Sequence, residues 1–239
     1  MSAREQILGS IRRSLGVTGG EAPRRKEVAD RIAGRPRGVV PARGQGAPHE
    51  QVELFVRMVE AAAGTVVRVA DPADVPAEVA EFLRRNNLPM AVRRGADARL
   101  GALPWERAGT LEVSTGPWDA SALSSVSHAF SAVAETGTLV LLSGPDNPTK
   151  LNFLPDNHIV VADARDIVGD YESIWPRLRE KFGDGAMPRV VNLITGPSRS
   201  ADIEQTLIMG AHGPRRLHVI LLDAPPSPAP LPPTEGNTL

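Results

Sequence analysis

Apolar positions change their period along the chain, and each change marks an element. Ile7, Leu8, Ile11 and Leu15 recur at helical spacing, so 3–15 predicts one short amphipathic helix. Residues 16–48 are rich in Gly, Pro and Arg and predict a linker or extended arm, with a short helical piece near 26–33. Helical spacing returns at 51–63, and Gly64 supplies the stop. From there strands and helices alternate. Strand 65–69 is followed by helix 76–86, strand 90–93, a short helical piece near 97–101 and strand 110–114. Residues 125–134 and 137–143 predict two strands broken at Glu135–Thr136. A Pro/Asn/Asp-rich loop then leads to strand 158–163, helix 170–182 and strands 189–194 and 216–222.

The strands are short, apolar and β-branched, as sheets covered on both faces require. Their alternation with helices predicts an α/β fold, a mostly parallel sheet flanked by helices, with an N-terminal helical arm. The adjacent pair around residue 136 predicts some antiparallel admixture. The expected organisation is an amphipathic helix and basic linker at 1–48, an α/β domain at 49–223 and a proline-rich tail at 224–239. A domain of that size buries a real core.

Composition then removes whole classes of function. The 239 residues include no cysteine, which excludes disulfides, thiolate zinc sites, Cys-ligated iron–sulfur clusters and a Cys nucleophile. His212 and His218 straddle a Gly-Pro turn and give no credible metal geometry, so no metal is expected. No apolar run approaches membrane-spanning length and no signal-peptide core follows Met1, so a soluble cytoplasmic protein is the expectation. The net charge of −1 hides an asymmetry. Residues 1–44 hold ten basic and four acidic side chains, a net of +6, and the remainder holds 17 basic and 24 acidic, a net of −7. A basic arm on an acidic body predicts docking either on its own body or, in a homo-oligomer, on a neighbouring subunit. The arm has no aromatic side chain to stack on bases, so no nucleic-acid partner is expected.

Ligands of open α/β sheets bind outside the carboxyl ends of the strands, which turns attention to loops. Glu135-Thr136-Gly137-Thr138 puts a carboxylate and two hydroxyls beside a glycine that lets backbone approach a ligand. Glu135 is the candidate nucleophile or general base, or else an acid capping a tight turn. The loop 143–158 carries Lys150, Asn152 and His158, the last a candidate proton shuttle. After strand 189–194, Gly196, Ser198 and Arg199 form a turn able to cradle an anion, which Asp202 and Glu204 oppose. His212 and Gly213 form a second turn within reach of a ligand. Walker, dinucleotide-fingerprint and nucleophile-elbow motifs are all missing.

Four runs in order, A-E-T-G-T-L-V-L-L-S-G (134–144), L-P-D-N-H-I-V-V (154–161), T-G-P-S-R-S-A-D-I-E (195–204) and G-A-H-G-P-R-R-L-H-V-I-L-L-D (210–223), closely resemble the lactate utilisation protein C family, built on the LUD domain. The resemblance covers roughly residues 50–223. It implies a fold similar to ribose-5-phosphate isomerase and the CoA transferases. It also implies a role in oxidising L-lactate to pyruvate beside iron–sulfur partner proteins, with no cofactor on this chain and a small anionic ligand bound. Two other expectations stand beside it. One is a free-standing CoA-transferase-like or sugar-phosphate isomerase-like enzyme using Glu135. The other is a cyclo-ligase-type enzyme binding nucleotide and folate.

Overall fold

A computed structural model describes residues 2–201, 207–210 and 212–223. The chain divides after Val39 into two compact units. The expected proline-rich tail, along with Asp202 and Glu204, lies outside the described residues.

The first unit holds α1 (Ala3–Leu15) and α2 (Ala22–Gly34). Ser2 and Glu5 form a capping box at the start of α1, and Gly16 ends it in the left-handed conformation. The second helix corrects the expectation of a mostly irregular linker. Pro23 sits in its first turn, Arg and Lys favour helix, and Lys26 pairs with Asp30 one turn on at 2.7 Å.

In the second unit, α3 (Pro48–Ala61) leads to β1 (Thr65–Val69), α4 (Val75–Arg85), β2 (Ala91–Arg94), α5 (Ala98–Gly101) and β3 (Glu112–Thr115). Then come β4 (Ser124–His128), β5 (Ser131–Val133), β6 (Thr138–Leu142), α6 (Lys150–Phe153), β7 (Asn157–Asp163) and β8 (Ile167–Val168). The described chain closes with α7 (Ile174–Phe182), β9 (Val191–Ile194), β10 (Arg199–Ala201), β11 (Leu207–Met209) and β12 (Arg216–Leu222).

Six strands form one parallel sheet in the order β1-β12-β7-β4-β2-β3. Side-chain alternation splits its two faces. Ile159, Val161, Ile220 and Leu222 meet Val75, Val79, Phe82 and Leu83 of α4. Val160, Ala162, Val219 and Leu221 meet Phe55 and Val59 of α3 together with Leu139 and Leu141. Those leucines belong to a second sheet, β8-β5-β6-β9, in which β6 is antiparallel to both neighbours. Its outer face, through Val133 and Val140, packs on Ile174 and Leu178 of α7. The layers therefore run α4, large sheet, α3 with small sheet, then α7.

Two sequence expectations change here. Residues 125–134 are not one strand. The chain leaves the large sheet at His128 and enters the small one at Ser131, because Ala129 N–H bonds Val161 on one side and Phe130 N–H bonds Val140 on the other. Strand 189–194 is not parallel. It forms as β9, antiparallel to β6, so the turn after it leads into the β10–β11 hairpin rather than a helix.

Three imidazoles are buried in this framework, His128, His158 and His218, and the last two are the most strongly perturbed. Burial pushes the His158 ring down to about 3. Burial, with Arg85 nearby, pushes His218 down to about 4, where it stacks on Phe82 at 4.5 Å. Both fold as neutral rings, whereas in the unfolded chain they take up protons below about pH 6.5. Their contribution is fully present above that pH and is lost as pH falls toward the folded values, at about 1.4 kcal/mol per unit for each ring. We expect denaturant-measured stability to fall by about 4 kcal/mol between pH 7 and pH 5. The slope should be roughly halved in His218→Gln, and an unchanged slope in that variant would show that the ring is not held neutral.

Candidate functional site

The small sheet decides where the loops go. Because β9 runs antiparallel to β6, the turn Thr195–Ser198 emerges at the amino ends of β7 and β12 rather than at carboxyl ends. The turn before β12 and helix α6 converge on the same place. Together they enclose a cavity of 240 Å³ that gathers Asn152, His158, Gly196, Ser198, His212 and Gly213. Six of the expected ligand-contacting residues thus meet in one site, though at the end of the sheet opposite to the one that the strand rule favours. Ser198 ties the two turns together: its N–H bonds the Pro214 carbonyl at 2.8 Å and its Oγ accepts from His212 N–H at 3.3 Å.

Beneath the cavity lies a buried polar cluster. Ser127 Oγ is 3.1 Å from Asn152 Oδ1 and 3.2 Å from Asn147 Oδ1, to one of which it donates. It is also 3.0 Å from His158 Nε2. A hydroxyl that donates to an amide oxygen accepts from the ring, which fixes the proton on Nε2 and leaves Nδ1 a bare acceptor. His158 Nδ1 has no partner, nor has Asn152 Nδ2, and both side chains are fully buried. An acceptor and a donor therefore stand unsatisfied on two residues lining one cavity, at a cost of about 1–3 kcal/mol each. The donor set is uncharged. It suits a small oxyacid or hydroxyl compound held by hydrogen bonds.

The other expected residues sit apart. Lys150 is exposed at the start of α6, and Arg199 is exposed beyond the Ser198 turn. Glu135 is buried, 4% exposed, and does not line the cavity. Its Oε1 accepts from Tyr171 N–H at 3.4 Å, and its Oε2 is buried without a partner. Thr138 Oγ1 links this loop to the cavity rim, at 2.7 Å from Thr136 and from Tyr171 and at 2.6 Å from Thr195. Gly137 and Gly196 have a packing role that the sequence did not suggest. Both have positive φ, +66° and +74°. A Cβ on Gly137 would meet the α3 backbone at Val59 at 2.5 Å, and one on Gly196 would meet the Ala62 carbonyl at 2.4 Å. What the sequence missed lies at the other end of the sheet, where Arg99, His128 and Asp163 approach one another. Reading 125–134 as one strand hid His128 in a strand interior, when it is the last residue before the chain changes sheets.

Residues 119–222 match the family model described as the LUD domain. The matched segment is similar to the LUD domain. It contains every residue lining the amino-end cavity. The uncharacterized protein NMB1437 of Neisseria meningitidis is 33% identical over 146 residues, which is 56% of this chain and 59% of that protein. Lactate utilization protein C of Geobacillus thermodenitrificans is 36% identical over 107 residues, 44% and 45% of the two chains. The protein of the same name from Bacillus licheniformis is 36% identical over 92 residues, 38% of each. The chain spans about half the length of the curated relatives it matches. The crystal structure of a DUF162 family protein from Deinococcus radiodurans is similar in fold, with a TM-score of 0.53 and 22% identity over 74% of this chain and 99% of that one. Among the described residues, no helix is long and apolar enough to cross a membrane, and no three His, Asp or Glu side chains are grouped to hold a metal.

Replacing Gly137 by Ala should destabilise the domain by about 2–5 kcal/mol, since it adds a left-handed non-glycine residue to an overpacked contact. Thermal or urea unfolding reads this directly. A stability within about 0.5 kcal/mol of wild type would show that α3 does not close on this turn.

Proposed function

We propose that this LUD-domain chain takes part in the utilisation of L-lactate, binding a small anionic ligand and acting with iron–sulfur partner proteins that accept the electrons. What supports this is similarity to proteins named lactate utilization protein C, together with the unsatisfied donor and acceptor on Asn152 and His158 in the amino-end cavity. Lactate offers a hydroxyl to give to an imidazole nitrogen and a carboxylate to receive an amide N–H. Its oxidation to pyruvate releases two electrons. A chain without cysteine has no thiolates to hold a cluster that would take them, so the electrons pass to a partner.

A second reading has one observation in its favour, the buried Glu135 Oε2 without a partner. In a free-standing CoA-transferase-like or sugar-phosphate isomerase-like enzyme that carboxylate would be the nucleophile or base.

Two experiments separate these readings. Pyruvate formation from L-lactate should require the iron–sulfur partners, and oxidation by the isolated chain would defeat the partner-dependent account. Glu135→Gln should keep its fold, checked by its melting curve. It should also lower the complementing activity about a hundredfold or more if the carboxylate acts chemically. Activity equal to wild type would leave Glu135 as a buried turn residue.

A further inference from the structure

At the carboxyl ends of β1, β12, β7 and β4 a second cavity opens, with a volume of 470 Å³. It lies beside the point where connections reverse direction across the sheet: β2 leads outward to β3, whereas β4 leads the other way to β7 and β12. Such switch points are where parallel sheets present ligand sites. Leu103 and Leu222 give it apolar walls, and Arg99, His128, Asp163 and Arg165 give it a polar side.

The polar side has an unfilled valence. His128 is 6% exposed, and its Nδ1 lies 2.9 Å from the Ala129 carbonyl. The carbonyl can only accept, so Nδ1 carries the proton and Nε2 is a bare acceptor. Asp163 Oδ2, itself an acceptor, lies 4.0 Å from Nε2. Burial, reinforced by Arg99, lowers the basicity of the ring. A ligand hydroxyl has a single proton to give, and Nε2 is an acceptor in the cavity wall able to take it. The guanidiniums supply the complementary charge. Arg165 holds Asp163 Oδ1 through one nitrogen at 3.0 Å, and Arg99 holds Asp97 through Nε and Nη2. Each keeps N–H donors unused by those pairs.

We propose that this carboxyl-end cavity is a second ligand site, for a hydroxylated organic anion whose hydroxyl donates to His128 Nε2 and whose acid group meets Arg99 and Arg165. Two sources share that chemistry, a 2-hydroxy carboxylate and a sugar phosphate. The proposal goes beyond the lactate reading, because it concerns a different cavity and is tested on the isolated full-length chain without partners.

Titration calorimetry with L-lactate and with D-ribose 5-phosphate distinguishes the sources, and propionate and inorganic phosphate serve as controls lacking the hydroxyl. The expected result is binding of at least one hydroxylated anion, with its control at least about tenfold weaker. His128→Gln and, independently, the exposed Arg165→Gln should each weaken that binding about tenfold. The exposed Arg57→Gln, a charge-matched change outside both cavities, should leave it within about twofold. Arg165→Gln keeps the test decisive if His128→Gln melts early. Absence of binding by both hydroxylated anions, equal binding of the controls, or undiminished binding in both His128→Gln and Arg165→Gln would overturn the proposal.

Discussion

A parallel sheet covered on both faces leaves its chemistry only at the strand ends. Here α4 covers one face and α3 with the small sheet covers the other, so β7 and β12 are buried along nearly their whole length. Their backbone groups are consumed by neighbouring strands, and from Ile159 to Ala162 and from Val219 to Leu222 their side chains are apolar in both directions. The consequence is two cavities at opposite ends of the same strands, about 240 Å³ at the amino ends and 470 Å³ at the carboxyl ends. The two differ in kind. The amino-end cavity is lined by two imidazoles, an amide, hydroxyls and backbone, with no carboxylate or guanidinium, and burial lowers His158 to about 3. The carboxyl-end cavity carries guanidiniums and carboxylates, already paired, around an imidazole.

Those differences follow from which segments reach each end. Parallel strands send their following loops to the carboxyl end, and there α5 brings Arg99 while Asp163 and Arg165 come directly from the end of β7. The amino end receives what β9 delivers, and β9 is antiparallel. Its turn meets the chain entering β12 and the short helix entering β7, so glycine and hydroxyl residues accumulate there. Ser127 joins that group from inside the sheet, reaching His158 from the neighbouring strand. A serine in the middle of a buried strand is costly unless bonded, and it is bonded to His158 and amide oxygen. The remaining unsatisfied atoms, Asn152 Nδ2 and His158 Nδ1, are therefore the exceptions in an otherwise closed network.

How much of this was legible follows from the range of each signal. Strand–helix alternation is local, and it carried the α/β fold with a mostly parallel sheet. The residues Asn152, His158, Gly196, Ser198, His212 and Gly213 also stood out locally, by type and loop position, before anything showed that they meet. Strand pairing is not local. Nothing in the run from Ser125 to Ala134 distinguishes one ten-residue strand from two strands in different sheets, because both patterns are apolar and alternating. The break depends on Val161 capturing one amide and Val140 the next, partners 32 and 10 residues away. Missing it concealed His128, since a histidine in a strand interior has no reason to face a cavity. For α2 the failure was different: Gly and Pro around 16–48 drew attention from a basic stretch with good helix formers inside it.

Helix α3 complicates the use of motifs as markers of chemistry. The glycines of E-T-G-T and T-G-P-S both lie against its last turns, one over Met58 and Val59 and the other over Ala62. Those contacts are three to four residues apart, which is one helical turn, so a single helix surface closes both loops. Side chains larger than hydrogen are excluded at each by backbone atoms that cannot swing aside. Much of what makes those runs resemble the lactate utilisation proteins is thus demanded by close packing, whatever is bound. The chemistry has to be sought in the neighbours that packing does not demand. In the first run this is the Glu135 carboxylate, half of which has no partner. In the second it is Ser198, which a smaller residue would replace without steric penalty but at the loss of its bond to the His212 turn.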